Sequence, residues 1–366
     1  MSAHLFPAEP VFTDGVSTYP WAEVWQGRTD PQEGEDGLRW HHVIRPYTAL
    51  SPSAYTLCGF SVDEGVARNQ GRRGAAGGPL ALRRALGNLP APPSTSLADA
   101  GDVACPDGNL EDAQTLHAAR ITALLRAGSH PLVLGGGHEV AWGTYQGIAE
   151  YLWGPRGDNA PSPNAARTQA GTVAPHPVEA PDAGPSRSPH DSRSLPRLLV
   201  LNVDAHFDLR QDLHPTSGTP FLQALNDAGA RNAPCTYAVF GISTFANTRA
   251  LFRRAEAHGV PYVLDEVLQH EAHLDAALSR LRTLCAAADA VYLSLCLDVL
   301  PAATAPGVSA PNPFGVPLWL IEELLREVIR SDKVVVTEIA ELNPRWDVDG
   351  RTARVGARCV GGWVRR

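Results

Sequence analysis

Short apolar runs alternate with longer amphipathic stretches along most of this chain. The runs at 54–60, 131–134, 198–203, 237–242, 261–264, 290–297 and 333–339 are dominated by Leu, Val, Ile, Ala, Phe and Tyr. Between them lie helix-like patterns at 79–89, 111–127, 139–152, 248–258, 271–287 and 317–329. A strand with no polar face is buried on both sides, so these runs predict a parallel sheet covered by helices, an α/β fold.

The alternation is interrupted once. From 155 to 196 the chain is rich in Pro, Ala, Ser and Gly and nearly devoid of large apolar residues. Such a stretch cannot bury enough surface to offset its ordering entropy and is expected to be disordered. A strand, turn and helix precede it and a strand follows, which is the ordinary next step of one sheet. The 366 residues therefore read as a single domain, 1–366, with a surface insertion at 155–196.

Charge narrows the class. The net charge is −8, the pI is about 5.9, and there is no basic run, so no nucleic-acid partner is expected. No stretch reaches the roughly 18 uninterrupted apolar residues of a membrane helix. The first residues lack the charged and apolar regions of a signal peptide. Six scattered cysteines without a C-x-x-C pair argue against structural zinc and against a disulfide framework. The expected setting is the cytoplasm and the expected partner a small molecule.

Chemistry gathers behind the apolar runs. Asp204, His206 and Asp208 follow the strand at 198–203 and, by alternation, leave its end on one side. Gly135-Gly136-Gly137 follows another strand and leads into His138. The P-loop spacing and G-x-G-x-x-G are both absent, so the glycines let the backbone bend and bring His138 to a shared site. Ser294, Cys296 and Asp298 share a face at the end of the strand at 290–297, and the last strand runs into Glu338 and Glu341. Oxygen donors with one or two imidazoles suit a hard divalent ion such as Mn²⁺. Six ligand candidates exceed what one ion usually takes, which favours two ions about 3.5–4 Å apart.

These segments, in this order, resemble the ureohydrolase superfamily of arginases, agmatinases and formimidoylglutamases. The matching pieces are GGGHE at 135–139, VDAHFD at 203–208, a form of S-x-D-x-D at 294–298 and ELNP at 341–344. The resemblance implies a three-layer α/β/α fold around a mostly parallel sheet of about eight strands, with a binuclear manganese centre. It implies His138, Asp204, His206, Asp208 and Asp298 as metal ligands and Glu341 as the carboxylate that grips the substrate head. Glu338 has no match and is expected to be structural.

Finer wording points to the formimidoylglutamases: N-Q-G-R-R-G-A-A-G-G-P at 69–79, W-Q-G-R-T-D at 25–30, and a loop reading L-P…A-P-G-V-S-A-P at 300–311. The implied reaction is hydrolysis of N-formimidoyl-L-glutamate to L-glutamate and formamide in histidine breakdown, by hydroxide bridging the ions and attacking the amidine carbon. Arg210 and Arg72 or Arg73 are candidates for the substrate carboxylates, with Asn69 lining the pocket and His214 as a proton carrier. A homo-oligomer is also in keeping with the family. The alternatives are a guanidino-acid ureohydrolase and a catalytically weakened homologue. The last arises from Cys296, which stands where the family has a bridging aspartate. A thiolate there would favour softer ions such as Zn²⁺ or Fe²⁺.

Overall fold

The computed structural model describes residues 20–156 and 194–364, and the backbone of two short strands ahead of them. The strands are β1 (Val11–Thr13), β2 (Val16–Thr18), β3 (Arg45–Pro46), β4 (Tyr55–Ser61), β5 (Leu97–Ala104), β6 (His130–Gly135), β7 (Leu198–Val203), β8 (Cys235–Ile242), β9 (Tyr262–Leu264), β10 (Ala290–Cys296) and β11 (Val334–Ala340). They form one sheet in the order β1-β2-β5-β4-β6-β11-β10-β7-β8-β9, with β3 beside β5. Every pairing from β5 to β9 is parallel. β3 adds one more parallel strand. β1 and β2 attach as an antiparallel ribbon.

The apolar runs behave as a doubly covered sheet requires. All seven residues of β10 are buried. Val291, Leu293 and Leu295 enter one core, and Ala290 and Tyr292 enter the other. The first core is completed by helices Gly78–Gly87, Leu274–Ala287, Leu318–Ile329 and Arg351–Val364, the second by Leu110–Arg126, Val140–Trp153, Pro220–Arg231 and Arg249–Ala257. This is the α/β/α layering expected from the sequence. Among the described residues no helix is long and apolar enough to cross a membrane.

Among the elements that escaped the periodicity, three are long enough to matter to the packing. β5 reads LADAGDVA, and its two acids make it look like a loop. Both acids are buried and matched by Arg83, which donates Nε and Nη2 to Asp99 at 2.8 Å each and lies 2.6 Å from Asp102. Trp25 Nε1 and Ser61 Oγ complete the set. Gly59 makes room, since a Cβ there would lie 1.9 Å from Asp102 Oδ1. Helix Arg351–Val364 carries three glycines, and at Gly356 a Cβ would come within 2.8 Å of Leu82 on helix Gly78–Gly87. Helix Pro220–Arg231 opens on a proline at its first turn.

Most of the stretch at 155–196 lies outside the described residues. Its flanks meet: Trp153 Nε1 donates to the Pro196 carbonyl at 2.9 Å. The four strands that carry the sequence motifs, β6, β11, β10 and β7, are consecutive neighbours in the middle of the sheet. Being parallel, they deliver their carboxyl ends to one edge, where α/β proteins open their crevice.

Candidate metal centre

β7 ends at Val203, and the chain then bends instead of continuing extended, with Asp208 at φ 47°. Simple alternation therefore does not carry through 204–208, yet the three side chains still reach one place. Asp204 is fully buried, fixed by Asn202 Nδ2 at 3.0 Å and by the His206 amide at 2.6 Å. His138 arrives from β6 across two intervening strands. The glycines before it are sterically required: a Cβ at Gly136 would sit 1.9 Å from the Val62 carbonyl. After β10, a 3-10 turn at Leu297–Val299 sets Asp298 beside Cys296.

Two groups of three donors result. His138, Asp204 and Cys296 form one, Asp204, His206 and Asp298 the other, with the donor atoms of each within 4.8 Å of one another. Asp204 belongs to both. Asp208 joins the first group, its Oδ2 lying 2.9 Å from His138 Nδ1, the same distance as Asp204 Oδ2. His206 Nδ1 lies 3.1 Å from Asp298 Oδ2. All six residues named from the sequence as ligands are thus brought together.

The donor chemistry fits a pair of divalent cations. His138 Nε2 is 3.0 Å from Ser294 Oγ. That hydroxyl donates to Glu338 Oε1 at 3.1 Å, so it accepts from the imidazole and leaves a lone pair on Nδ1. Nδ1 has no hydrogen-bond partner although it is buried, and neither does Asp298 Oδ1. A lone pair facing two carboxylate oxygens calls for a positive charge between them. A proton can also serve as that charge. Burial works against protonating His138 and His206, but the adjacent aspartates outweigh it and hold both imidazoles well above their ordinary pKa. Burial opposes ionisation of Asp204, yet the two imidazoles beside it carry it well below the usual carboxylate range. Burial, then the carboxylates of Asp204, Asp298 and Glu341, push the Cys296 thiol far up. A bound cation reverses that last effect, because a coordinating thiol loses its proton.

Glu338 is structural in a specific sense. Its carboxylate accepts from Tyr292 at 2.6 Å, Thr144 at 2.5 Å and Ser294 at 3.1 Å, and through Ser294 it orients the His138 ring. No local pattern announces Tyr292 or Thr144, which come from the interior of other elements.

The pocket above the donors has a volume of about 300 Å³. Glu341 enters it at φ 71°, one oxygen accepting the His138 amide at 2.9 Å and the other the Ser309 hydroxyl. Burial pushes its carboxyl up to about 7, while the Ser309 bond pulls the other way. Arg210 lines the same pocket with Asn69 and Ser217, and Asn69 Nδ2 donates to Ser217 Oγ at 3.0 Å. Gly218 permits this approach, since a Cβ there would lie 2.7 Å from Arg210 Cδ. Two other candidates are placed differently. Arg72 is committed to backbone carbonyls at Pro306 and Val308 and to the face of Trp346, so it is not offered to a carboxylate in the pocket. Its neighbour Arg73 pairs with Asp63 and Glu64. His214 is exposed and does not line the pocket.

Known proteins are similar to the chain in sequence and in fold. Formimidoylglutamases from Ralstonia nicotianae and Paraburkholderia xenovorans are 44% and 46% identical to the chain, each over 92% of it and over 93% and 96% of their own lengths. Among solved structures, formimidoylglutamase from Bacillus subtilis superposes with a TM-score of 0.73 at 20% identity, covering 93% of both chains. A formiminoglutamase from Trypanosoma cruzi with Mn²⁺ gives 0.65 at 22% identity, covering 86% of this chain and 93% of its own. The sequence model of the arginase family matches residues 53–160 and 185–363, which take in all six candidate ligands and Glu341. With its motifs at the ends of four neighbouring parallel strands, the chain belongs to the arginase family.

Proposed function

We propose that the chain hydrolyses N-formimidoyl-L-glutamate to L-glutamate and formamide. The observation that carries this reading is the pair of donor groups sharing Asp204, next to a pocket lined by Glu341 and Arg210. The relatives at 44% and 46% identity bear the name of this activity.

His138, Asp204, Asp208 and Cys296 would hold one divalent ion, and Asp204, His206 and Asp298 the other. When bound, such a pair supplies Lewis acidity and a water acidic enough to act as nucleophile near neutral pH. Mn²⁺ suits the oxygen-rich set, and Cys296 leaves room for Zn²⁺ or Fe²⁺. The protein's own part is binding and orientation. Glu341 accepts from the amidinium N–H groups, and the approach of that cation favours its ionised form. Arg210 pairs with a substrate carboxylate, next to the amide of Asn69. Water adds to the amidine carbon, the bond from that carbon to the glutamate nitrogen breaks, and the departing amine takes a proton. His214, outside the pocket, is not placed to give it.

The setting that goes with this reading is a cytoplasmic enzyme of a free amino-acid derivative. The test is direct. Mn²⁺-loaded protein should release formamide from formimidoylglutamate and no urea from arginine, agmatine or guanidinobutyrate. Urea from a guanidine substrate, with no formamide from formimidoylglutamate, overturns the assignment.

A further inference from the structure

Arg72 lies in the N-Q-G-R stretch at the pocket's edge, yet its guanidinium turns to the loop at 301–311. Nε and Nη2 both donate to the Val308 carbonyl, at 3.1 and 2.7 Å, and Nη2 also reaches the Pro306 carbonyl at 3.2 Å. The Arg72 Cζ lies over the Trp346 ring, 4.6 Å from the centroid. The backbone carbonyl of Arg72 accepts from Asn343 Nδ2 at 3.0 Å, and the Asn343 amide donates to the Gly307 carbonyl at 2.7 Å. The Gly307 amide in turn donates to Thr352 Oγ1 at 2.9 Å. The loop packs closely at Gly307, where a Cβ would lie 2.6 Å from that of Asp347. The next residue after the clamped carbonyl of Val308 is Ser309, whose hydroxyl holds Glu341.

We propose that Arg72 is a positioning residue for the substrate-binding carboxylate. Its guanidinium fixes Pro306 to Val308, this fixes Ser309, and Ser309 sets the direction in which Glu341 presents its oxygens. A forked cation is needed to reach two carbonyls and cover an indole at once, and the point charge of a lysine cannot do both. Two stretches separated by over two hundred residues, N-Q-G-R and V-S-A-P, thereby act as one device. The proposal rests on Glu341 as the group that grips the amidine.

The experiment compares Arg72→Ala, Arg72→Lys and Ser309→Ala on two substrates, formimidoylglutamate and formimidoylglycine, the second lacking the side-chain carboxylate. A misaimed carboxylate should cost about 10²-fold in kcat/KM. The loss should be alike for both substrates, should persist in Arg72→Lys, and should not multiply with the Ser309→Ala loss in the double variant. Metal content should stay at the wild-type value. A loss confined to formimidoylglutamate would make Arg72 a carboxylate ligand and overturn the proposal, as would full rescue by lysine. Hydrogen exchange at 306–311 gives a readout that needs no substrate. It should accelerate in both Arg72 variants, and unchanged exchange overturns the clamp. An inactive wild type with accelerated exchange in the variants would fault the assigned substrate and leave the clamp in place.

Discussion

The backbone amide of His138 donates to Glu341 Oε1 at 2.9 Å, and the Glu341 amide donates to the Gly136 carbonyl at 2.8 Å. A candidate metal ligand and the candidate substrate-binding carboxylate are thus tied by reciprocal bonds across the β6–β11 junction. Glu341 sits at φ 71°, a conformation that costs a non-glycine residue of order 1–3 kcal/mol and persists only when its surroundings hold it.

Glu341→Gln keeps the size of the side chain and removes its charge. It should lower kcat/KM about 10²-fold, since a charged partner for the amidinium is lost. Elemental analysis should find the metal retained. Parallel loss of metal and activity would instead mark Glu341 as part of the scaffold that assembles the ligands.

Cys296 stands in the donor group with His138 and Asp204, and burial and the nearby carboxylates hold its thiol in the protonated direction. Cys296→Asp replaces a soft donor with a hard one. Competition between Mn²⁺ and Zn²⁺ should then shift toward Mn²⁺ by about tenfold or more. If the ratio of affinities does not move, the sulfur is not a ligand.

Ser294 and Glu338 orient His138 from behind without reaching the donor cluster themselves. Loss of such a support typically lowers metal affinity about 10- to 100-fold. Ser294→Ala and Glu338→Gln should both show this by calorimetric titration of metal-free protein. Wild-type affinity in both variants would remove the relay from the account.

His117 offers a pH test remote from the pocket. Burial lowers its pKa from 6.5 to about 3, and its Nε2 lies 3.1 Å from Thr144 Oγ1. Below pH 6.5 the unfolded chain gains a proton that the folded one refuses. Stability from this residue is therefore complete above that pH and falls as the pH drops toward about 3, with a slope of up to about 1.4 kcal/mol per pH unit. Denaturant unfolding of His117→Leu should show a flatter acid limb than the wild type. Identical limbs would mean that the imidazole does not stay neutral.

The sequence disclosed what is local. β7 occupies 198–203 as its apolar run requires, and the acids and histidines after the strands meet because parallel strands share an edge. It concealed what depends on distant partners. Asp99 and Asp102 make β5 look like a loop until Arg83 is brought against them from another element. Arg72 reads as a free cation beside the pocket because the carbonyls that occupy it lie 234 and 236 residues away. Glu338 has no motif match, and its tie to His138 is hidden because the hydroxyls around it belong to β10 and to helix Val140–Trp153.

The bond from Trp153 to Pro196 has its own bearing on how this protein can vary. It closes the chain where the 157–193 stretch departs and returns, on the side where β7 begins, away from the edge where the donors gather. Both anchors of the stretch, Trp153 and Pro196, are thus fixed at the end of the sheet opposite the chemistry. A reporter domain grafted between these anchors would start and end its excursion a full strand length from the donors.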